Sequence, residues 1–285
     1  FCTMGAISDV MNIGDWTRAR HWLLAIGVAM LGFALLGMTG QIDPAASLYA
    51  NARWLWLSTS VGGLMFGAGM VLASGCGNKT LVRVGSGNLK ALVVFVVMGI
   101  AAFATMKGVT AVLRVATVDT VFVSLNQGAH LGTIAASLLG GSAAQMQTWV
   151  GLAIGLLLVG VVLRHGDFWT ANNLMAGIGS GAVIVALWWV SGHLGHLTEH
   201  PETLDEVYLA TSSGRMESLS FVAPMAYTLD WLMFFSDKSK VLTLGVVTAL
   251  GVVVGSALSA RINGSFRWEG FGSIEDLANT RSGPF

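Results

Sequence analysis

The fold is decided by residues 67–90, which read GAGMVLASGCGNKTLVRVGSGNLK. One apolar run, Trp54 to Ala73, ends inside this stretch, and another, Leu89 to Thr105, begins as it closes. Glycines bracket the intervening residues at positions 75, 77, 85 and 87. Because glycine readily adopts the backbone conformations that end a helix, the pattern predicts two membrane helices joined by a short helical piece with Cys76 at its head.

The composition extends this interpretation to the whole chain. Hydrophobic residues make up 54% of the 285 residues and charged residues 11%, against roughly 25% charged in soluble domains. A spanning helix needs about 20 mainly apolar residues. Six runs without a charged residue predict an all-α polytopic membrane protein: Trp22 to Leu36 with its flanks, Trp54 to Ala73, Leu89 to Thr105, Trp149 to Leu163, Leu174 to Val190 and Val241 to Leu258.

Two further apolar segments are interrupted by polar residues. Val121 to Leu139 contains Asn126, Gln127 and His130, and Leu219 to Phe235 contains Pro224 and Asp230. Such segments are typical of broken or re-entrant helices. Asp230 is either a functional carboxylate or the point where the segment returns to water. The three polar residues of the first segment either line a polar cavity or end a short helix.

Charge excludes one class of partner and suggests an orientation. Lys plus Arg and Asp plus Glu both number 15, so no basic excess holds a nucleic acid. Lys and Arg residues beside the predicted spans indicate the cytoplasmic side, whereas the acidic polar loop 193–218 suits the outer side, and Lys107 and Arg114 in the connection Lys107 to Asp119 oppose this topology. The residues that indicate the cytoplasmic side are Arg18, Arg20, Lys79, Arg83, Lys90, Arg164, Lys238 and Lys240. The chain contains no phosphate-binding loop, and Gly85 and Gly87 lack the context of a dinucleotide site. We therefore expect neither an enzyme nor a cofactor.

The outer loop contains a histidine cluster, His193, His196 and His200. This spacing could place metal ligands on one helix face. Gly195 interrupts the segment and Pro201 follows it, which favours a solvated loop over the entrance. We expect no metal site.

The only two cysteines head two similar stretches. Phe1-Cys2-Thr3-Met4-Gly5 begins one, and Gly75-Cys76-Gly77-Asn78-Lys79 begins the other. Gly14 follows Cys2 by 12 positions and Gly87 follows Cys76 by 11. We predict one transmembrane domain, residues 1–285, with repeat units near 1–40 and 75–107. A lone cysteine in such a helix is usually buried packing, but two at matching positions favour a function.

The predicted short helices offer an anion site. Each cysteine would lie at a helix N-terminus, where free N–H groups attract negative charge. Thr3, Ser74 and Asn78 add neutral donors, and Lys79 adds a positive charge. Soft sulfur with hydroxyl donors and no carboxylate favours a small sulfur-containing anion or a neutral thiol species.

The stretch 67–90 resembles the signature of the YeeE/YedE family of bacterial inner-membrane proteins, and the Phe1 to Asp9 opening is similar to that family as well. The resemblance implies uptake of thiosulfate along cysteines that pass the ion by S–H···S contacts, with a TusA-type sulfur carrier as a cytoplasmic partner. It also implies a further Gly-Cys motif beyond Phe285, so we expect both termini to be truncated.

These arguments converge on a multi-pass inner-membrane transporter of a small sulfur-containing anion. Two other classes stay open: a membrane-bound sulfane-sulfur or redox relay, or accessory subunit of a larger complex, and a scaffold with buried cysteines. The candidate pathway residues are Cys2, Thr3, Met4, Gly5, Ser74, Gly75, Cys76, Gly77, Asn78 and Lys79.

Overall fold

The computed structural model describes residues 2–125, 130–200, 204–237 and 241–271. The helices, in chain order, are α1 (Thr3–Ile13), α2 (Thr17–Met38), α3 (Trp56–Leu72), α4 (Gly77–Gly85), α5 (Leu89–Lys107), α6 (Val109–Ala116), α7 (Leu131–Leu139), α8 (Ala143–Leu163), α9 (Ala171–Leu174), α10 (Ser180–Trp189), α11 (Val222–Met233) and α12 (Leu244–Ile262). Two π-helical turns, Met175–Gly179 and Val190–Leu194, continue α9 and α10.

Strands contribute little to the fold. β1 (Arg53–Trp54) pairs antiparallel with β2 (Val123–Ser124), and β3 (His196–Leu197) pairs antiparallel with β4 (Val207–Tyr208). Each strand has two residues. The architecture is therefore all-α, as the sequence predicts.

Six helical stretches of the described chain are long and apolar enough to cross a membrane. They are Thr17–Met38, Trp56–Gly85, Leu89–Lys107, Ala143–Leu163, Ala171–Leu194 and Leu244–Ile262. Each contains most of one apolar run identified in the sequence, so the prediction of a polytopic membrane protein is confirmed. The second stretch is broken, because α3 ends at Leu72 and α4 begins at Gly77.

Short helices precede long ones repeatedly in the described chain. α1, α4 and α7 have 11, 9 and 9 residues, and the helices that follow have 22, 19 and 21. Each junction has three residues and a glycine with positive φ: Gly14 (+69°), Gly87 (+98°) and Gly140 (+78°). Only glycine adopts this conformation without strain, which explains why the junctions contain it.

The interrupted segments follow the same pattern. The first contains the short helix α7, and the second contains α11, which has 12 residues and precedes the longer α12. Asn126 and Gln127 lie outside the described residues. The sequence argument therefore placed two broken helices correctly and overlooked that they are further short–long pairs.

The first of two compact units comprises residues 3–54 and 122–219. Here α2 packs on α8 through small residues: a Cβ added at Gly155 would lie 2.8 Å from Leu31 Cγ and 3.1 Å from the Gly27 carbonyl oxygen. Leu24, Val162 and Phe168 form a buried cluster near the arginine-bearing ends of these helices. A second cluster, Ile42, Trp188, Tyr208 and Met216, joins α10 to the polar loop at the opposite end of the unit.

The second unit comprises Cys2 together with the described residues of 55–121, 220–237 and 241–271. α4 packs on α12, where a Cβ at Gly85 would lie 2.4 Å from the Val253 carbonyl oxygen. α5 packs on α11, where a Cβ at Gly99 would lie 2.5 Å from Leu229 Cδ1. Such close approaches of backbone to backbone are typical of membrane helices, which associate through small residues.

Candidate functional site

The site is built where α3 stops. The N–H of Gly75 donates to the Met70 carbonyl at 2.9 Å and that of Ser74 to the Val71 carbonyl at 3.3 Å, which is the hydrogen-bond pattern of a Schellman motif. Ser74 occupies the left-handed position with φ +55°, where glycine is usual. The chain therefore stores backbone strain two residues before Cys76.

Cys76 begins the next helix. It is the N-cap residue of α4, with extended backbone angles (φ −84°, ψ 172°), and its carbonyl accepts from the Thr80 N–H at 3.0 Å and from Thr80 Oγ1 at 3.2 Å. Its half-buried side chain faces the backbone N–H groups of Lys79 and Asn78 without closing a cap hydrogen bond. These N–H groups favour negative charge at this position.

The glycines beside Cys76 are required by close packing. A Cβ at Gly75 would lie 2.6 Å from Lys79 Cδ, so the lysine stem crosses over the glycine backbone. A Cβ at Gly77 would lie 3.3 Å from both Phe221 Cβ and Met225 Cε, at the beginning of α11. The backbone at the start of α4 therefore packs against the stem of Lys79 on one side and against the start of α11 on the other.

Cys2 and Cys76 come together. Both are free thiols and both are half-buried, and the two side chains lie within hydrogen-bonding reach of each other. Cys2 directly precedes α1 as Cys76 directly precedes α4. Residues 74 positions apart in the chain are thus joined at one place, each at the head of a short helix.

The remaining candidates divide into two groups. Ser74, Asn78 and Lys79 are half-buried and surround Cys76 in sequence, with Gly75 and Gly77 buried beside them. Thr3, Met4 and Gly5 form the first turn of α1 and are half-buried. The first group contributes an amide, a hydroxyl and an ammonium group, all of which can donate to an anion.

The histidines of the polar loop have separate surroundings. His193 stacks on Trp189 at 5.6 Å between ring centroids, whereas His196 stacks on Tyr208 at 4.9 Å and pairs with Glu206 at 2.8 Å. The His200 N–H donates to the Asp205 carbonyl at 3.0 Å. Burial raises the pKa of Tyr208 to about 12, and Glu206 acts in the same direction. Within the described residues, no three His, Cys, Asp or Glu side chains are grouped to hold a metal.

Two polar side chains of the interrupted segments are enclosed by protein. Asp230 is 8% exposed on α11 and interacts with other groups of the chain. His130 is the N-cap residue of α7, and its Nε2 atom is buried. The sequence argument missed the special conformation of Ser74, and it named His130 only as a residue that lines a polar cavity or ends a short helix. The signal for the place of His130 at the head of α7 was the glycine pair at 140 and 141, which follows His130 as Gly87 follows Cys76.

The described residues contain six helical stretches that could span a membrane, together with short helices that Cys2, Cys76 and His130 precede. This arrangement is typical of multi-pass membrane transport proteins. The particular family follows from comparison with known proteins. The family model described as sulphur transport matches residues 1–283, so the chain belongs to this family, the YeeE/YedE proteins. Its members transport sulfur compounds and are not enzymes.

Two curated relatives share the name thiosulfate transporter TsuA. That of Escherichia coli (strain K12) is 27% identical over 275 residues, which cover 94% of this chain and 71% of the relative. That of Spirochaeta thermophila is 32% identical over 110 residues, which cover 38% of this chain and 31% of the relative. The resemblance seen in the sequence motifs is therefore confirmed along the chain.

Proposed function

We propose that the protein takes up thiosulfate across the bacterial inner membrane by passing it along Cys2 and Cys76. The observation that carries the proposal is the meeting of the only two cysteines of the sequence, each at the head of a short helix. The names of the relatives support thiosulfate as the substrate.

The chemistry of the pathway follows from the groups present. Each thiol donates a weak S–H hydrogen bond to the terminal sulfur of the anion, and adjacent thiols let the anion move from one donor to the next. The Ser74 hydroxyl, the Asn78 amide and the N–H groups at the start of α4 orient the oxygen atoms. Lys79 attracts the dianion. No covalent bond forms or breaks in this step.

The direct test is growth on thiosulfate as the sulfur source in a bacterial strain that lacks its own sulfate and thiosulfate uptake. We expect Cys76→Ala to abolish growth and Cys76→Ser to retain part of it, because a hydroxyl donates a hydrogen bond but is shorter and less polarizable. Ala210→Ser, in the polar loop, is the control for a surface hydroxyl. Normal growth with Cys76→Ala, at equal protein level in the membrane, would refute the relay.

A second candidate function uses the same thiols covalently. The Cys76 thiolate would attack the sulfane sulfur of thiosulfate, a persulfide would form, and sulfite would leave with the electron pair of the broken S–S bond. A TusA-type carrier would then accept the sulfur at the cytoplasmic side. Intact-protein mass spectrometry after turnover separates the two functions: a gain of one sulfur atom on Cys76 favours the covalent relay, and an unmodified thiol with continuing uptake favours transport.

A further inference from the structure

His130 occupies in the third short–long pair the position that Cys76 occupies in the second. Each residue directly precedes a helix of nine residues, α7 or α4. Each lies 12 positions before the residue that caps the next long helix, Ser142 or Asn88. The two positions are equivalent in geometry: the short helices have the same length, the junctions after them have the same length, and both junctions contain a glycine with positive φ. Only the residue type differs.

The imidazole of His130 is unsatisfied. Its Nε2 atom is buried and has no hydrogen-bond partner among the described residues, and its side chain does not cap α7. Buried polar nitrogen atoms in folded proteins almost always have a partner. The His130 side chain also lines a cavity, which makes its imidazole a candidate hydrogen-bonding group for a ligand there.

The cavity beside His130 has a volume of about 330 Å³ and lies wholly within the first unit. This volume is at the lower end of the range for small-molecule sites, roughly 300–1,000 Å³. Most of its wall is apolar, and the polar residues Ser47, Gln147 and Thr148 lie in it beside the aromatic rings of Phe33 and Trp188. Among the described residues that line it there is no Asp or Glu, so no carboxylate repels an anion.

Neighbouring hydrogen bonds orient the donors of this wall. The backbone N–H of Gly132 donates to Gln147 Oε1 at 2.9 Å, which leaves the amide nitrogen of Gln147 as the donor on its other side. A Cβ at Gly132 would lie 2.3 Å from Gln147 Cα, so α7 and α8 are in close contact here. The His130 imidazole and the Gln147 side-chain amide are thus two hydrogen-bonding groups at one wall of the cavity.

The position of the cavity also fits a transported anion. Its lining residues come from the second half of α2, the first half of α8 and the second half of α10. These ends lie opposite Arg18 and Arg164 along their helices and next to the polar loop that contains Met216. By the distribution of positive charge, this is the outer end of the unit.

We propose that this cavity is a second binding site for the transported small sulfur oxyanion, with His130 as the hydrogen-bond donor at the position held by cysteine in the first two pairs. Hydrogen-bonding groups other than lysine or arginine suit a transported anion, because they bind it without the strong hold of a buried permanent charge. The inference rests on the proposed function and extends it to a residue that is not a thiol.

The test measures thiosulfate uptake into liposomes that contain only the purified protein, with His130→Ala, His130→Phe and His130→Gln. A lost hydrogen bond to a charged ligand lowers affinity by roughly tenfold or more, so we expect the Ala and Phe variants to raise KM by that factor. The Gln variant retains a donor near the Nε2 position and should stay within about threefold of the wild type. His165→Ala, at an exposed histidine of the same unit, should leave KM unchanged.

Several results would overturn the inference while leaving the proposed function intact. One is a wild-type KM in the Ala and Phe variants together with an inactive Cys76→Ala variant. Another is an equal loss in all three His130 variants with a lower melting temperature, which would assign His130 to packing. Loss of a co-purifying lipid in His130→Phe at unchanged KM would assign the cavity to a lipid chain. Absence of uptake by the wild type would instead refute the proposed function itself.

Discussion

Ser74 is the residue whose backbone departs most from its expected behaviour beside the two thiols. Its φ of +55° costs a non-glycine residue roughly 1–2 kcal/mol, and strain of this kind persists where the surrounding structure enforces it. The strain is explained if the Ser74 hydroxyl is needed at this point, because glycine would close the same Schellman motif without cost.

Ser74→Gly should therefore make the protein more stable and less active. The relief of strain exceeds the added chain entropy of glycine, about 0.5–1 kcal/mol, so we expect a slightly higher melting temperature in detergent. Thiosulfate uptake should fall because a donor to the anion is lost. Ala210→Gly is the matched control, since Ala210 has φ +57° in the polar loop: it should gain stability and keep uptake. Unchanged uptake in both variants would contradict a substrate role for Ser74.

At the scale of elements, pairs of helices are held by glycines at a few contact points. On α8, a Cβ at Gly155 would meet Leu31 and the Gly27 backbone, whereas a Cβ at Gly160 would meet nothing within 4 Å. We expect Gly155→Ala to destabilise by about 1–3 kcal/mol through overpacking. Gly160→Ala should be neutral or stabilising by up to about 1 kcal/mol.

Thermal unfolding of the two variants in the same detergent checks this difference. Both glycines lie on α8 and both are replaced by alanine, so the general effect of alanine on helix stability cancels in the difference between the two melting temperatures. Equal melting temperatures would show that the α2–α8 contact does not depend on the close approach of their backbones.

The sequence predicted elements well where their cause is local. Apolar runs of sufficient length predicted the six spans of the described residues, and the glycines around Cys76 predicted the break between α3 and α4. The contact between Cys2 and Cys76 depends on packing between distant parts of the chain. The matching spacing of the two cysteines suggested a shared function but could not predict that their side chains lie together. His130 was named as a residue that lines a cavity or ends a helix, but its equivalence with Cys76 was not recognised, because the position recurs with a different residue type. The roles of Thr3, Met4 and Gly5, and the duplication itself, stay predictions.

At the scale of the whole molecule, charge predicts which side faces the cytoplasm. Arg18, Arg20 and Arg164 flank spans at one side, whereas the polar loop 193–218 contains five acidic residues and one arginine. In a background with Ser at both cysteines, Ser213→Cys in the exposed turn of that loop should react with a membrane-impermeant maleimide on intact spheroplasts. His165→Cys should react only after the membrane is opened. The reverse pattern would invert the orientation and make the proposed uptake an export.

The central claim is that this chain alone moves thiosulfate through a path that contains both thiols. The most direct measurement is uptake of ³⁵S-labelled thiosulfate into liposomes reconstituted with the purified protein, for the wild type, Cys2→Ala and Cys76→Ala. We predict time-dependent accumulation with the wild type and at least a tenfold lower rate with either variant. Equal rates in all three preparations would contradict the relay, and no uptake above empty liposomes in any of them would contradict transport by this chain.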